Sequence, residues 1–454
     1  MTFKIFLYIK IVVILSIIFQ ASFLTIKLKN YYKDFYDNYR KINTNLNLTV
    51  YKNIKEKKKI NIAIYSLGIK NGGRARITTL LIKYLYEIKI FKIFLFTCKL
   101  IEKDEYIIPS NIKRFRIKND LIKIINKNKI DILIYELDDI EEIMKLNNYI
   151  NINIIFYQHS SSFDWLYGNY TIFKTIYELF YSSKYIVSIV PFDNDYLFKK
   201  WGLNTILMKN FMTHDFNYIF SSDLSTEIIL LIGRGNAKKK RFYIGIEAFD
   251  YIAKEFPNCE LNIISNLTGI ERLQNLVNNL NLEKNIQFNG YSSVPDIYFK
   301  NASLNIFPSI SEAFPMVLSE TKIYGIPSVI IGIDYILIAK GGTIIIYDDR
   351  PESLAAEAIK LMESKEYRKK LGKEARNSMK KFNNELLLGD WAKLILSIYK
   401  GENIKLEENN LSEDEGINIL NNQLKLLKMR YEIFQNITRK EFENYTYLKN
   451  IQLY

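Results

Sequence analysis

Ser303-Leu304-Asn305-Ile306-Phe307-Pro308-Ser309-Ile310-Ser311-Glu312-Ala313-Phe314-Pro315-Met316-Val317-Leu318-Ser319-Glu320 reads as an apolar strand, a loop that opens on one carboxylate, and a helix that carries a second. Thr321-Lys322-Ile323-Tyr324-Gly325-Ile326-Pro327-Ser328-Val329-Ile330 then closes the helix and enters another apolar run. A strand that feeds a helix and then another strand is the repeating unit of a parallel α/β sheet. In such sheets ligands bind beyond the carboxyl ends of the strands, where the next helix aims its free N–H groups and positive dipole at an anion. The helix is expected to start near Pro315, since proline suits a first turn. A solvated loop glutamate and a surface-helix glutamate would give the same spacing, so the remainder of the chain has to decide.

Outward from that stretch the same alternation recurs. Strands are predicted at 61–65, 93–97, 131–135, 153–157 and 185–190, and a second series at 228–232, 261–264, 285–288, 303–307, 328–331 and 343–346. With 454 residues the chain exceeds one ordinary core. Two doubly wound domains are expected, with their sheets' carboxyl ends facing a shared cleft. The expected division is a signal anchor at 1–30, a stem at 31–59, an N-terminal Rossmann-like domain at 60–215, a C-terminal one at 216–385, and C-terminal helices and tail at 386–454.

Composition excludes several classes. Hydrophobic residues make up 48% and charged residues 25%, which suffices for folded cores. The two cysteines, Cys98 and Cys259, with only His159 and His214 to help, form neither a disulfide framework nor a convincing zinc site. The formal charge of +14 suggests nucleic acid until it is located. Positions 1 to 60 hold twelve Lys or Arg against three Asp or Glu, so most of the excess lies in the leader and stem. No nucleic-acid partner is expected. From Ile11 to Ile26 the chain is uncharged and apolar, near the length that spans a bilayer, with Lys10 placed to snorkel. A single-pass signal anchor is expected, with a cleaved signal peptide as the rival, and the lysines on both flanks leave orientation open. In a eukaryote such an anchor would place the protein in the Golgi or the endoplasmic reticulum.

Three more loops fall at predicted strand ends. Gly72-Gly73, followed by Arg74-Ala75-Arg76, lets backbone approach a ligand closely, although a tight turn alone would also use the glycines. Gly233-Arg234-Gly235-Asn236-Ala237-Lys238-Lys239-Lys240-Arg241 brings cations to the end of the first strand of the second series, as a diphosphate leaving group requires. Gln158-His159-Ser160 puts one of the two histidines at a strand's carboxyl end.

In this order these residues resemble the family-4 (group 1) retaining glycosyltransferases of the GT-B fold. The likeness covers about 60 to 385 and is strongest from Ile228 to Lys380, where Glu247-Ala248-Phe249, Gly290-Tyr291, Phe307-Pro308-Ser309 and Gly325-Ile326-Pro327 also match. The resemblance implies a retaining transferase with a nucleotide-sugar substrate, no metal and no other cofactor, acting on a glycan, lipid or protein acceptor. Glu320 would accept from the ribose hydroxyls, and Glu312 would face the transferred sugar. Gly233, Arg234 and Lys239 or Lys240 would hold the diphosphate, with the lysine left unassigned between the two. Gly72, Gly73 and Arg76 would serve the phosphate and acceptor side, and His159 would contact sugar or acceptor. A catalytically inactive GT-B scaffold that binds carbohydrate or supports a partner transferase is the alternative.

The sequence also departs from the family's pattern. Pro315 stands where many members have Gly and removes a backbone donor, so phosphate binding would fall to the amides of Met316 and Val317. Ala75 replaces a common Glu, although Arg76 keeps the cation. Asp193-Asn194-Asp195 imitates a metal-binding pattern but reads as a solvated helix start. Near the C-terminus, Ile417, Leu420, Leu424, Leu427, Tyr431 and Phe434 form an a/d stripe, for which packing on the enzyme and self-association remain open.

Overall fold

The computed structural model describes residues 59–440 apart from 71, 101–104, 119, 137–151, 167–178, 181–182, 214–220, 236, 291–295 and 405–410; side chains of 165, 166, 296 and 431–440 are not described. The expected signal anchor, nearly all of the stem and the stripe residues Tyr431 and Phe434 lie outside what is described. Among the described residues, no helix is long and apolar enough to cross a membrane.

Short runs of Ile, Leu, Val and Phe, flanked by polar turns, form strands buried on both faces, as parallel sheets require. The first sheet contains β1 (Ile60–Ser66), β2 (Phe91–Thr97), β3 (Lys113–Arg116), β4 (Ile132–Glu136), β5 (Asn153–Gln158), β6 (Tyr185–Ser188) and β7 (Thr205–Leu207). Their spatial order is β3-β2-β1-β4-β5-β6-β7, and every pairing is parallel. The second sheet contains β8 (Ile228–Ile232), β9 (Glu260–Ile264), β10 (Ile286–Asn289), β11 (Leu304–Phe307), β12 (Ser328–Ile331) and β13 (Thr343–Ile346). It is also all parallel, in the order β10-β9-β8-β11-β12-β13.

Both sheets reverse their winding direction once, between β1 and β4 and between β8 and β11. A crevice opens at such a switch point. The loops after β1, β8 and β11 are the glycine loop, the cationic loop and the Glu312 loop, so topology alone brings the candidate residues to the two crevices.

The helices used below are α1 (Gly73–Glu87), α2 (Leu121–Asn128), α3 (Ser162–Leu166), α4 (Phe242–Glu255), α5 (Glu271–Asn279), α6 (Asp296–Lys300), α7 (Met316–Ile323), α8 (Pro351–Glu363), α9 (Lys365–Ser378), α10 (Asn384–Lys400) and α11 (Glu413–Lys440). Helix α10 returns to the first sheet, where Trp391, Leu394, Ile395 and Ile398 join the core made by β1, β2 and β5.

Helix α11 packs on the body. A Cβ placed on Gly416 would lie 2.1 Å from the Tyr196 ring, and one on Gly332 would lie 2.0 Å from Leu426, so the helix approaches both sheets' loops too closely for side chains at those points. Its buried face runs through Gly416, Ile419, Gln423 and Leu426. That face overlaps the expected stripe at Leu420, which packs on the core, but leaves Ile417 and Leu424 40% and 41% exposed.

Candidate functional site

The turn from β11 into α7 is held from several sides. Arg241 Nε donates to the carbonyl of Pro308 at 2.8 Å, and the Ile310 amide donates to the Lys239 carbonyl at 2.9 Å. The Glu312 amide donates to the Tyr335 hydroxyl at 3.1 Å. The Glu312 carboxylate, so fixed, forms an ion pair with Lys240 Nζ, whose ammonium also lies 5.5 Å from the centre of the Phe307 ring. Helix α7 starts at Met316 with Pro315 as its cap, one residue beyond the expected start. Its first intrahelical bond runs from the Ser319 amide to the Pro315 carbonyl, so the amides of Met316 and Val317 precede the helical ladder and are placed to bind an anion.

Opposite α7 stands the glycine loop. Gly72, at φ 94°, caps α1 in a conformation that costs a side chain, and a Cβ on Gly73 would sit 3.6 Å from Met316 Cγ. Arg76, one turn into α1, reaches across with Nη1 2.7 Å from Glu320 Oε1. The same oxygen accepts from Thr213 Oγ1 at 2.8 Å. Glu320 is 3% exposed and its Oε2 has no hydrogen bond among the described residues. Gly233, at φ 152°, turns the chain out of β8 against the Phe242 ring. In the cationic loop, Gly235 donates its amide to Ser265 Oγ at 2.7 Å, which leaves no room for a side chain. Arg234 is exposed, and its guanidinium has no partner among the described residues.

The two candidate lysines part company. Lys240 faces Glu312, whereas Lys239 Nζ lies 3.0 Å from Asp164 Oδ1 on α3, which also accepts from Ser311 Oγ. Arg241, the next residue, occupies the left-handed region at φ 47°. Its Nη1 contacts both Asp349 oxygens at 2.6 Å, and Arg430 of α11 grips the same carboxylate with Nε at 3.0 Å. The two guanidinium groups hold the Asp349 carboxyl below the usual carboxylate range against the opposing effect of burial.

His159 lies at the carboxyl end of β5 as expected, with its ring 4.0 Å from that of Tyr157 and Nε2 3.3 Å from Glu136 Oε1. It touches none of the groups around Glu312 that are described here. Asp193 corrects an expectation. It starts a helical turn, Phe192–Leu197, but is fully buried and not solvated, accepting from the Ser162 amide at 2.8 Å, from Ser162 Oγ and from Gln158 Nε2 at 3.2 Å. Burial pushes its carboxyl up to about 7. Its work is to tie β5 and α3 together. Among the described residues no group of three or more His, Cys, Asp or Glu is placed to hold a metal ion.

Sequence reasoning missed Glu136, Asp164, Tyr335 and Thr213. Glu136 had a signal, since it is the one charged residue of Ile132–Glu136 and sits at the strand's carboxyl end. The others act through contacts between segments far apart in the chain, which spacing does not reveal.

Comparison with known proteins agrees with this fold. Residues 218–378 match the family Glycosyl transferases group 1. The poly(glycerol-phosphate) alpha-glucosyltransferase of Bacillus subtilis (strain 168) is 26% identical over 160 residues, 34% of this chain and 24% of that protein. The match thus spans about a quarter of that relative's length. Sucrose-phosphate synthase from Thermosynechococcus elongatus superposes with a TM-score of 0.63 at 15% identity, covering 76% of this chain and all of that one. Anabaena HepE in complex with UDP and glucose superposes with a TM-score of 0.61 at 14% identity, covering 74% of this chain and all of that one. The fold is GT-B, and the likeness to group 1 glycosyltransferases lies in residues 218–378.

Proposed function

We propose that the protein is a metal-independent, retaining glycosyltransferase that moves a sugar from a nucleotide-sugar donor to a glycan, lipid or protein acceptor, held at a membrane by its N-terminal segment. The observation that carries this reading is the meeting of Glu312 with Lys240 at the ends of β11 and β8, beside the free amides of α7 and opposite Gly73. A diphosphate entering there would draw Lys240 from Glu312 and meet Arg234 and the amides of Met316 and Val317. Glu320 would offer Oε2 to the ribose while Arg76 and Thr213 keep Oε1. In this scheme the bond from the anomeric carbon to phosphate breaks, the acceptor oxygen bonds on the same face, and its proton passes to the leaving phosphate oxygen. The cations and helix amides stabilise the charge that develops on that phosphate. The activity named for the Bacillus subtilis relative supports sugar transfer.

The test is a hydrolysis and thermal-shift screen of the full-length chain in detergent with UDP-, GDP- and ADP-sugars in the presence of chelator. UDP, the nucleotide in the Anabaena structure, comes first. Stabilisation by one nucleotide with slow release of sugar, both lost in Glu320→Gln, is the expected result. Binding without turnover would move the protein to the inactive scaffold. Sedimentation of the full chain with membranes, abolished by removing residues 1–30, checks the anchor.

A further inference from the structure

We propose that Glu136 is the positioning residue of His159: it receives the Nε2 side of the imidazole and so leaves Nδ1 as the nitrogen available to sugar or acceptor. The proposal rests on the glycosyltransferase reading above. Glu136 ends β4, at the topological switch of the first sheet, and is fully buried. Its Oε1 is hydrogen-bonded by Thr78 Oγ1 of α1 and lies 3.3 Å from His159 Nε2. Oε2 is buried with no partner among the described residues. His159 Nε2 is buried too and makes no hydrogen bond at this separation; among the described residues Glu136 is the only group in ion-pair reach of it, and so the group with which it can form one.

A carboxylate in that place is costly. Burying one takes several kcal/mol unless a cation or donors compensate, and an apolar side chain would fill the end of β4 without that cost. Burial raises the Glu136 carboxyl, but the imidazole, Ser66 and Thr78 outweigh it and hold it below the ordinary range. Through Thr78 the same carboxylate is tied to α1, the helix that carries Gly73 and Arg76. The orientation of His159 is therefore set from the same point that fixes the glycine loop. This is the arrangement by which an outer carboxylate fixes which imidazole nitrogen faces a substrate.

The chain has only two histidines, which makes the test direct. In full-length protein with ¹⁵N-labelled histidine, assigned through His214→Gln, a hydrogen-bonded ring proton on Nε2 of His159 is expected far downfield, and it should vanish in Glu136→Leu. Its absence from the wild type would overturn the proposal whether or not the protein turns over any sugar nucleotide. The kinetic arm is a double-mutant cycle on sugar-nucleotide turnover. Glu136→Gln and His159→Gln should each lower kcat on the order of tenfold to a hundredfold, with donor KM nearly unchanged, and the double variant should be no worse than the poorer single one. Additive losses would sink the dyad. Glu136→Asp, which keeps the charge, should recover part of the rate and the downfield proton, and it guards against a Gln variant that fails to fold. If no donor turns over, the transferase reading fails and the ring proton alone decides the dyad.

Discussion

Lys240 and Lys239 show how adjacent, chemically identical residues receive different work from geometry. Lys240 is 20% exposed and pairs with Glu312 inside the crevice; Lys239 is 52% exposed and pairs with Asp164 at its rim. A half-solvated pair contributes at most about 1 kcal/mol, whereas a cation that meets charge developing on a leaving phosphate contributes roughly 3 kcal/mol. Lys240→Ala should therefore cut turnover of the preferred sugar nucleotide on the order of a hundredfold, and Lys239→Ala no more than a few-fold, read as kcat in steady-state assays. Lys322 yields a prediction on stability. Its Nζ is buried against the carbonyls of Ile338 and Lys340, and burial, with the charge of Lys381, pushes it down to about 7 from 10.5. Below about 7 the group is charged in folded and unfolded chains alike. Between about 7 and 10.5 the unfolded chain binds the proton and the folded one does not, so this residue's contribution to stability rises with pH across that window. Denaturant melts of the wild type should show this rise relative to Lys322→Met, which lacks the titrating group.

At the scale of elements, glycines separate close packing from mere flexibility. Gly416 faces the Tyr196 ring, which itself lies 5.3 Å from Phe192 and has little freedom to retreat. Gly389, in the middle of α10, is exposed and has nothing within 4 Å of a built Cβ. Alanine gains about 1 kcal/mol over glycine in a helix, but overpacking costs about 1–3 kcal/mol. Gly389→Ala should raise Tm, and Gly416→Ala should lower it and loosen α11, read by protease sensitivity of the tail. The same contrast explains what could be read from sequence. Central strands such as Ile228–Ile232 are buried on both faces and appear as unbroken apolar runs. The strands Lys113–Arg116 and Thr205–Leu207 lie at the edges of the first sheet, one charged and one only three residues long, and carry no such pattern. In α11 the leucine stripe caught only part of the contact: Leu420 packs on the core, but Gly416 and Gln423, the latter donating to the Gly332 carbonyl, lie outside its spacing. The Glu312 and glycine loops were legible because each sits at the end of a recognisable strand. Asp164 and Tyr335 were not: the partner of Asp164, Ser311, belongs to the other half of the chain, and Tyr335 meets Glu312 only because β12 and its loop fold back beside the Glu312 turn.

Across the whole molecule, one apolar cluster joins the first sheet to Phe314, Met316 and Tyr335, with the Phe163 ring 4.6 Å from that of Tyr335, and polar contacts ring the crevice: Arg76 with Glu320, and Lys239 and Ser311 with Asp164. These differ in strength by burial. Glu320 is almost fully enclosed, so losing Arg76 would leave a buried charge with only Thr213 to satisfy it, a larger penalty than losing the half-exposed Lys239 pair. On the proposed reading, the rim contact would open at smaller cost than the inner one, so an acceptor could enter while Arg76 and Thr213 keep Glu320 oriented. Reversing the rim charge tests this division. Asp164→Lys would face Lys239 with a like charge and deprive Ser311 of its acceptor, so the halves should separate, seen as a larger radius of gyration in X-ray scattering and a raised acceptor KM. Adding Lys239→Asp restores an opposite-charge pair and should return the radius toward the wild-type value, while thermal stabilisation by the nucleotide stays close to wild type in both variants. A radius unchanged by Asp164→Lys would mean that the inner contact and the Phe163–Tyr335 packing hold the cleft by themselves.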